Sequence, residues 1–413
     1  MNNEILCRIL DLSTSREELK NTFDHLNKQN WENLLITSSW HRIKPHIYLK
    51  LKPLFGEVEI PSSIQTDLYD AYLDSARKNT LILHHAAIIL RDLKSQNIDV
   101  IGLKGIYLVE NIYDDITARP FGDVDIMVRK EDLQTSIRIL QKMGYAMTTY
   151  FDIGDENLDI KHVPPMFNAD GLPVEIHWTI LEEDEPFTID AQGLWKRAIP
   201  AKIAGVDALA LSPEDLILHL CMHLTYQHRL KIGLRGLYDI AEVLRHFEGQ
   251  VDWTKLSKIT HEWGSERVTW LTLTLAQDLL GAQIPPMILE YLQPKEAAPW
   301  VLAKAKAQLL EQDVRKAVVT PDLAKFATKE GLISRIKLFL SRLFLPKQTL
   351  ARLYGVSPKS IKIYGCYFKR LIYLIIHYGD SLKRVAKKDP QMRLVVENEI
   401  TIERLKKWMV KNK

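Results

Sequence analysis

Apolar residues recur at two different spacings along the chain, and the change of spacing divides it into regions. Residues 1–95 carry apolar positions at helical spacing, interrupted by Pro45, Pro53 and Pro61, and this predicts an N-terminal helical region. Helical spacing returns after residue 206, where Ser212-Pro213 is a typical helix start, and continues to the end. We therefore expect helices on both sides of a different central segment.

The central segment, residues 96–206, alternates between strand-like and helix-like patterns. The patterns predict elements in the order strand 97–103, helix 105–112, strand 124–128, helix 131–143, strand 145–151 and a hairpin of 166–168 with 174–178. The hairpin is expected because Asp170-Gly171 is a turn signal between its two strands. The predicted fold class is therefore α/β (α+β), with a small mixed sheet flanked by N-terminal and C-terminal helical regions.

Acidic side chains are concentrated on two of these strands. Asp123 and Asp125 lie on one face of a strand because side chains alternate, and Glu175 and His177 share a face of another. Three carboxylates at one point would repel each other unless a cation lay among them. If the strands are neighbours, the sequence predicts a site for Mg²⁺ or Mn²⁺, which suits phosphoryl chemistry. The alternative for an isolated Asp-x-Asp is an acidic strand end before a turn.

Composition narrows the class of protein. Hydrophobic residues make up 46% of the 413 and charged residues 26%, as in a globular protein with a sizeable core. The cysteines Cys7, Cys221 and Cys366 are far apart, which argues against a disulfide framework and favours a reducing compartment. We find neither a signal peptide pattern nor an apolar run long enough for a transmembrane segment, and we expect a cytoplasmic protein.

The charge is distributed unevenly. The net charge is +3, yet residues 331–413 contain 19 Lys and Arg against 5 Asp and Glu. This basic C-terminal helical region, which follows a helical domain predicted at 207–330, could contact a polyanion such as nucleic acid or an anionic membrane. The alternative is a solvated helix surface.

Several motifs in a fixed order resemble a known family. Leu103-Lys104-Gly105, the run Arg-Pro-x-Gly-Asp-x-Asp at 119–125 and Val-Glu-Ile-His-Trp at 174–178 resemble the nucleotidyltransferase fold, here a bacterial family of the polymerase-β-like superfamily. Segments 34–45, 218–223 and 234–241 resemble that family's upstream and downstream helical motifs. The resemblance covers roughly residues 30–250. One departure is Lys104-Gly105, where the superfamily usually has Gly-Ser.

The resemblance implies nucleotidyl transfer, in which an acceptor attacks the α-phosphate of a nucleoside triphosphate. It implies that Asp123 and Asp125 are metal ligands, that Glu175 is a third ligand or the base, and that the turn at Gly105 holds triphosphate. Four further residues are candidate nucleotide or phosphate contacts, namely Lys104, Arg119, His177 and Arg235.

Each of those four contacts has a structural alternative. Lys104 could be a solvated lysine, and His177 could be a hydrogen-bonded core histidine. Arg119 could pair with Asp114 or Asp115. Arg235 could form a polar brace between helices with His223 and Asp239.

The implied donor is a nucleoside triphosphate or a nucleotide sugar. The acceptor stays open among a peptide natural product, a small molecule and RNA, because a fold does not determine a function. Two other functions compete with this one: a toxin-type nucleotidyltransferase that modifies tRNA, and a non-catalytic protein that binds nucleotides or nucleic acid.

Overall fold

The computed structural model describes residues 2–147, 161–182, 184–295, 299–310, 337, 340, 343–357, 359–386 and 390–410. The contacts divide the chain into a first unit, residues 1–146, 159–310 and 409–413, and a second unit, residues 147–158 and 311–408. The regions predicted at 1–95, 96–206 and 207–330 therefore share the first unit over most of their length. No helix among the described residues combines the length and the hydropathy needed to cross a bilayer.

The chain begins with a group of helices, as the apolar spacing predicts. They are α1 (Asn2–Leu10), α2 (Arg16–Asp24), α3 (Lys28–His41), α4 (Lys44–Leu51) and α5 (Ser62–Ser95). Ser15 caps α2 in a capping box with Glu18, which satisfies backbone N–H groups that the helix cannot pair internally. The side of α5 that carries Ile82, Leu83 and Leu90 is buried.

Seven strands form one mixed sheet in the first unit. They are β1 (Ile101–Gly102), β2 (Val124–Met127), β3 (Ala146–Met147), β4 (Met166–Phe167), β5 (Pro173–His177), β6 (Ile199–Ile203) and β7 (Val206–Ala210). Their order across the sheet is β3-β4-β5-β2-β1-β7-β6. Strand β2 runs antiparallel to β1 and parallel to β5, so both acidic strands lie side by side near the centre of the sheet.

The strand predictions were confirmed for β2 and for the β4–β5 hairpin, and β1 is shorter than predicted. The hairpin of β6 and β7 was not predicted, although Ala204-Gly205 makes its turn with both residues at positive φ. Its strand β7 pairs parallel to β1 and extends the sheet beyond residue 206. The strand expected at 145–151 is described only as β3, and residues 148–151 lie outside the described residues.

Helices pack around and after the sheet. Three lie between its strands: α6 (Lys104–Asn111), α7 (Leu133–Lys142) and α8 (Ala191–Arg197). Six follow it: α9 (Pro213–Cys221), α10 (Leu234–His246), α11 (Trp253–Trp263), α12 (Glu266–Leu280), α13 (Pro286–Leu292) and α14 (Pro299–Leu310). Helix α9 continues into a π-helical turn at Met222–Gln227, a form that often marks a functional region.

The described part of residues 311–408, in the second unit, is mainly helical. It contains α15 (Lys347–Tyr354), α16 (Lys362–Ala386) and most of α17 (Pro390–Met409). Helices α15 and α16 share a small core in which Leu350 and Ala351 pack with Ile363 and Cys366.

Candidate active site

The register of two parallel strands brings the acidic residues together. Asp125 on β2 lies directly opposite Glu175 on β5, and Met127 lies opposite His177. His177 Nε2 is 3.0 Å from Asp125 Oδ1 and 3.4 Å from Glu175 Oε2. One ligand atom from each of Asp125, Glu175 and His177 lies within 4.8 Å of the other two, which is a spacing that one metal ion could bridge.

Lys104 faces the same carboxylate from the start of α6. The Leu103 N–H donates to the Asp125 carbonyl oxygen, so the end of β1 is fixed beside β2 at this residue. Lys104 then adopts a φ of 45°, which a non-glycine residue seldom takes. Its Nζ lies 3.0 Å from Asp125 Oδ2, and both side chains are largely buried. Lys104 is therefore an ion-pair partner of the acidic site and is not the solvated lysine of the alternative interpretation.

The charges of the cluster shift its acids in opposite directions. Burial opposes ionisation of Asp125, but the Lys104 ammonium and a hydrogen bond from His177 outweigh it and hold the pKa of Asp125 well below its usual range. Burial and the neighbouring Asp125 charge raise the pKa of Asp123. Asp123 is thus a carboxylate in an unfavourable place for its own charge, which a bound cation would relieve.

Asp123 is positioned by a loop, residues 112–123, that the long helix α5 holds in place. Asn79 Nδ2 donates to the carbonyl oxygens of Ile116 and Arg119 at 2.6 and 2.9 Å, and the Phe121 N–H donates to Asn79 Oδ1. Ser75 Oγ donates to the Thr117 carbonyl oxygen at 2.8 Å. Because these donors are buried on a regular helix, the loop enters β2 along a defined path.

A second buried ion pair holds the same loop from the other side. Arg119 Nε and Nη2 donate to the two carboxylate oxygens of Asp239 on α10 at 2.6 and 2.8 Å, and Tyr113 Oη donates to Asp239 Oδ1. Arg119 therefore pairs with Asp239, and the alternative pairing with Asp114 or Asp115 was wrong. Its Nη1 is buried and has no hydrogen-bond partner within the described part of the chain.

Arg235 does not form the predicted brace with His223 and Asp239. Its Nη1 donates to the Pro120 carbonyl oxygen at 2.6 Å, so it holds the loop just before Asp123. Burial lowers the pKa of Arg235 to about 10. His223 instead contacts His228, with 3.1 Å between their Nε2 atoms.

Gly105 is required by packing in this structure. A Cβ atom at this position would lie 2.7 Å from Cδ2 of Phe121, which is closer than real contacts allow. The glycine thus lets α6 approach the loop that carries Asp123. A backbone contact from Gly105 to triphosphate stays a prediction.

Two further residues, Lys161 and His162, lie beside the site. His162 forms an isolated bridge with His177, and its Nε2 lies 3.9 Å from Glu175 Oε2. The Nζ of Lys161 donates to Gln227 Oε1, and burial together with the Lys104 charge lowers the pKa of Lys161 to about 8. Only a basic pair close before the hairpin could have pointed to them.

The two flanking motifs of the sequence, at 34–45 and 234–241, contact each other in the folded chain. His41 lies at the end of α3, and Leu234 is the first residue of α10. The Leu234 N–H donates a hydrogen bond to His41 Nδ1. Gly233 has a φ of 75°, and a Cβ atom there would lie 2.5 Å from His41 Nδ1, so this close approach requires glycine. The segments that resemble one family are therefore joined in space.

A family model described as an uncharacterised nucleotidyltransferase matches residues 27–281, which include both flanking motifs and every strand of the sheet. The chain belongs to this family. No curated protein and no solved structure matches the chain. Membership of the uncharacterised nucleotidyltransferase family implies a nucleotide donor and transferase activity.

Proposed function

We propose that this nucleotidyltransferase-family protein transfers a nucleotidyl group from a nucleoside triphosphate in a reaction that depends on Mg²⁺ or Mn²⁺. The convergence of Asp125, Glu175 and His177 on one point carries the proposal, because their ligand atoms lie within 4.8 Å of one another. We further propose that the β1–β2–β5 sheet is a nucleotidyltransferase core of the polymerase-β-like superfamily. A bacterial origin stays a prediction.

The residues of the site fit a hard divalent cation. Carboxylate oxygens from Asp123, Asp125 and Glu175 are ligands that Mg²⁺ and Mn²⁺ prefer, and an imidazole at His177 is better tolerated by Mn²⁺. The unfavourable charge of Asp123 beside Asp125 supports such an ion. When bound, the ion would offset negative charge on the phosphate oxygens during transfer.

The chain's own side chains would bind and orient the substrates. Lys104 would exchange its ion pair with Asp125 for a phosphate oxygen, while Lys161 supplies a second positive charge close by. Glu175 would be a third ligand or would accept the proton of the attacking hydroxyl group. The bond from that oxygen to the α-phosphorus forms as the bond to the β-phosphate oxygen breaks, and pyrophosphate leaves.

The first experiment measures metal binding apart from turnover. Titration of the purified protein with Mn²⁺ should give a site that Asp125→Asn weakens by roughly a hundredfold, because a ligand is removed. Asp215→Asn is the matched control, since Asp215 is also buried and paired with an arginine, Arg197, outside the cluster. Equal Mn²⁺ affinity in both variants and the native protein would contradict the proposed metal site.

The same titration separates the two roles of Glu175. Glu175→Gln should lower Mn²⁺ affinity if this residue is a ligand, whereas unchanged affinity with lost turnover would make it the base. Circular dichroism on each variant checks that the fold is retained.

The second experiment identifies the transferred group. The protein is incubated with each nucleoside triphosphate, then with nucleotide sugars, together with candidate peptide, small-molecule or RNA acceptors, and the products are weighed by mass spectrometry. We expect the mass of one nucleoside monophosphate to be added in the presence of Mg²⁺ or Mn²⁺. An acceptor that gains the mass of a hexose would show sugar transfer instead of nucleotidyl transfer. A nucleotidyl group added to tRNA would favour the toxin-type function.

A further inference from the structure

One side of helix α16 in the second unit is apolar and exposed. We define the apolar stripe as Ile361, Tyr364, Phe368, Ile372, Ile375 and Ile376. Their spacing of three or four residues places them on one face of the helix and the turn before it. Their exposed fractions lie between 42% and 85%. The apolar stripe is thus a continuous hydrophobic surface, which a soluble protein seldom leaves uncovered.

The apolar stripe is distinct from the side of α16 that forms the core of the second unit. Ile363 and Cys366 face that core and pack against Leu350 and Ala351 of α15. Gly365 lies within the stripe, and a Cβ atom built there meets no atom within 4 Å. Among the described residues, helix α16 therefore has one apolar side that packs in the core of its unit and a second that is exposed.

Positive charges lie beside the apolar stripe. Lys362 and Lys369 lie along one edge of the stripe and are exposed, and Lys359 is exposed shortly before the helix. Lys347 lies over the Tyr364 ring, with Nζ 4.9 Å from the ring centroid. Residues 331–413 as a whole carry 19 basic and 5 acidic residues. The surface is therefore both hydrophobic and strongly cationic.

We propose that the apolar stripe binds the surface of an anionic lipid bilayer, with α16 lying in the plane of the interface. Apolar side chains would enter the boundary between headgroups and acyl chains, while the lysines at the edge contact anionic headgroups. This inference goes beyond the proposed transferase function and does not depend on it. It would place the enzyme at a membrane surface.

The chemistry of the stripe favours lipid over two other partners. Four of its six side chains are isoleucines, which have no aromatic face on which the bases of RNA could stack. A second copy of the chain would bring another unit of the same high positive charge, and like charges at short range oppose such pairing. An anionic bilayer satisfies the apolar and the cationic requirement together.

The test is sedimentation of the full-length protein with vesicles at low and high salt. We expect binding to phosphatidylglycerol-containing vesicles, weak binding to pure phosphatidylcholine vesicles, and a fall in binding as salt increases. Phe368→Asp with Ile372→Asp should lower the partition coefficient by roughly a hundredfold, since each side chain contributes about a factor of ten. Lys362→Gln with Lys369→Gln should lower it by about 25-fold, or about fivefold each.

A matched pair of exposed apolar residues in the first unit provides the control. Met287 and Tyr291 on α13 are 70% and 66% exposed, so Met287→Asp with Tyr291→Asp changes the charge by the same amount and also removes two exposed hydrophobic side chains. This control should leave vesicle binding unchanged, and thermal melts should show that all variants stay folded.

Three results would overturn the proposal. The first is no binding of the native protein to anionic vesicles, and the second is equal binding to neutral ones. The third is a native protein that self-associates in sedimentation velocity, or retards RNA, through the same stripe residues without binding vesicles.

Discussion

Two buried ion pairs lie on either side of the loop that leads to Asp123, and they differ in kind. Arg119 and Asp239 form a bidentate pair that Tyr113 completes. Lys104 and Asp125 form a single contact of 3.0 Å, with Glu175 beside them and the charge of Asp123 close by. In the first pair one arginine satisfies both oxygens of the carboxylate. In the second, Lys104 and His177 each contact one oxygen of Asp125, and the neighbouring acids add an excess of negative charge.

The two ion pairs therefore have different expected roles: one stabilises the fold, and the other takes part in binding substrate and metal. A lysine ammonium on a flexible stem can exchange partners, while a planar guanidinium in a two-point contact is held in one geometry. We therefore expect substitutions at the Arg119–Asp239 pair to act on stability and substitutions around Lys104–Asp125 to act on substrate and metal. This expectation also reassigns Arg119, predicted as a phosphate contact, to a mainly supporting role in which only Nη1 could reach a phosphate.

The largest effect should come from Asp123→Asn. We expect turnover to fall roughly a thousandfold, as for loss of a key electrostatic group, because the variant lacks one metal-binding charge. The melting temperature should stay equal or increase, since the raised pKa of Asp123 means that its charge disfavours the native fold at pH 7. Activity assays and thermal melts on one preparation test the expected fall in turnover and the expected melting temperature. A clear fall in melting temperature would place Asp123 with the supporting residues.

Asp239→Asn should show the reverse behaviour. Removing this charge leaves the Arg119 guanidinium buried without a counter-charge, which typically costs about 3–5 kcal/mol of unfolding free energy. Urea unfolding measures the loss. Because Asn79, Ser75 and Arg235 still hold the loop, activity per folded molecule should fall far less than in Asp123→Asn. Asp114→Asn is the control, because the Asp114–Arg245 pair at 3.3 Å is largely exposed and should contribute less than about 1 kcal/mol. Equal losses of unfolding free energy in Asp239→Asn and Asp114→Asn would contradict a special stabilising role for the Arg119–Asp239 pair.

Acid should lower the free energy of unfolding through His46, which packs against the helix that carries Asp239. This histidine packs against Tyr238 on α10, with 4.4 Å between ring centroids, and burial lowers its pKa to about 3. The unfolded chain therefore binds a proton below about pH 6.5 that the folded chain refuses, so stability falls by up to about 1.4 kcal/mol per pH unit until about pH 3. Unfolding at several pH values should show a shallower slope in His46→Phe than in the native protein, with His84→Gln, which alters an exposed histidine, as the comparison variant.

Lys104→Met should have the smallest effect. Loss of one phosphate contact should raise KM for the nucleotide about tenfold, with Lys104→Arg retaining most of the affinity. Because Lys104 helps to hold the pKa of Asp125 low, the acid limb of the pH profile of kcat/KM should move to higher pH in Lys104→Met. An unchanged profile would mean that the Lys104–Asp125 pair does not form in the working enzyme.

Local patterns pointed to part of the group that the structure brings together. Alternation along each strand singled out Asp125, Glu175 and His177, and the pairing of β2 with β5 had to be added. Asp123 precedes β2 and is not one of these three converging residues, so its place in the site stays a prediction. The helices α6 and α7 and the β4–β5 hairpin also follow from local periodicity and turn chemistry. These features depend on residues that are close in the chain.

What the sequence did not reveal depends on distant residues. Arg119 and Asp239 are separated by 120 positions, so the sequence favoured the nearer acids Asp114 and Asp115 as partners. Lys161 lies at the site because its neighbour His162 pairs with His177 on β5. No local pattern predicts that pairing. The β6–β7 hairpin was overlooked because Ala204-Gly205 is a less distinctive turn signal than Asp170-Gly171.

The hydrogen bond between Leu234 and His41 has a consequence for the order of folding. It closes a loop of 193 residues that contains the entire sheet, and closing so long a loop carries a large entropic cost before any contact repays it. During synthesis the ribosome must release α10 before the loop that carries Asp123 can be held by Asp239 and Arg235. The acidic site is therefore completed late, after its strands have already been made, and a chain that ends before α10 should hold those strands without an ordered active centre.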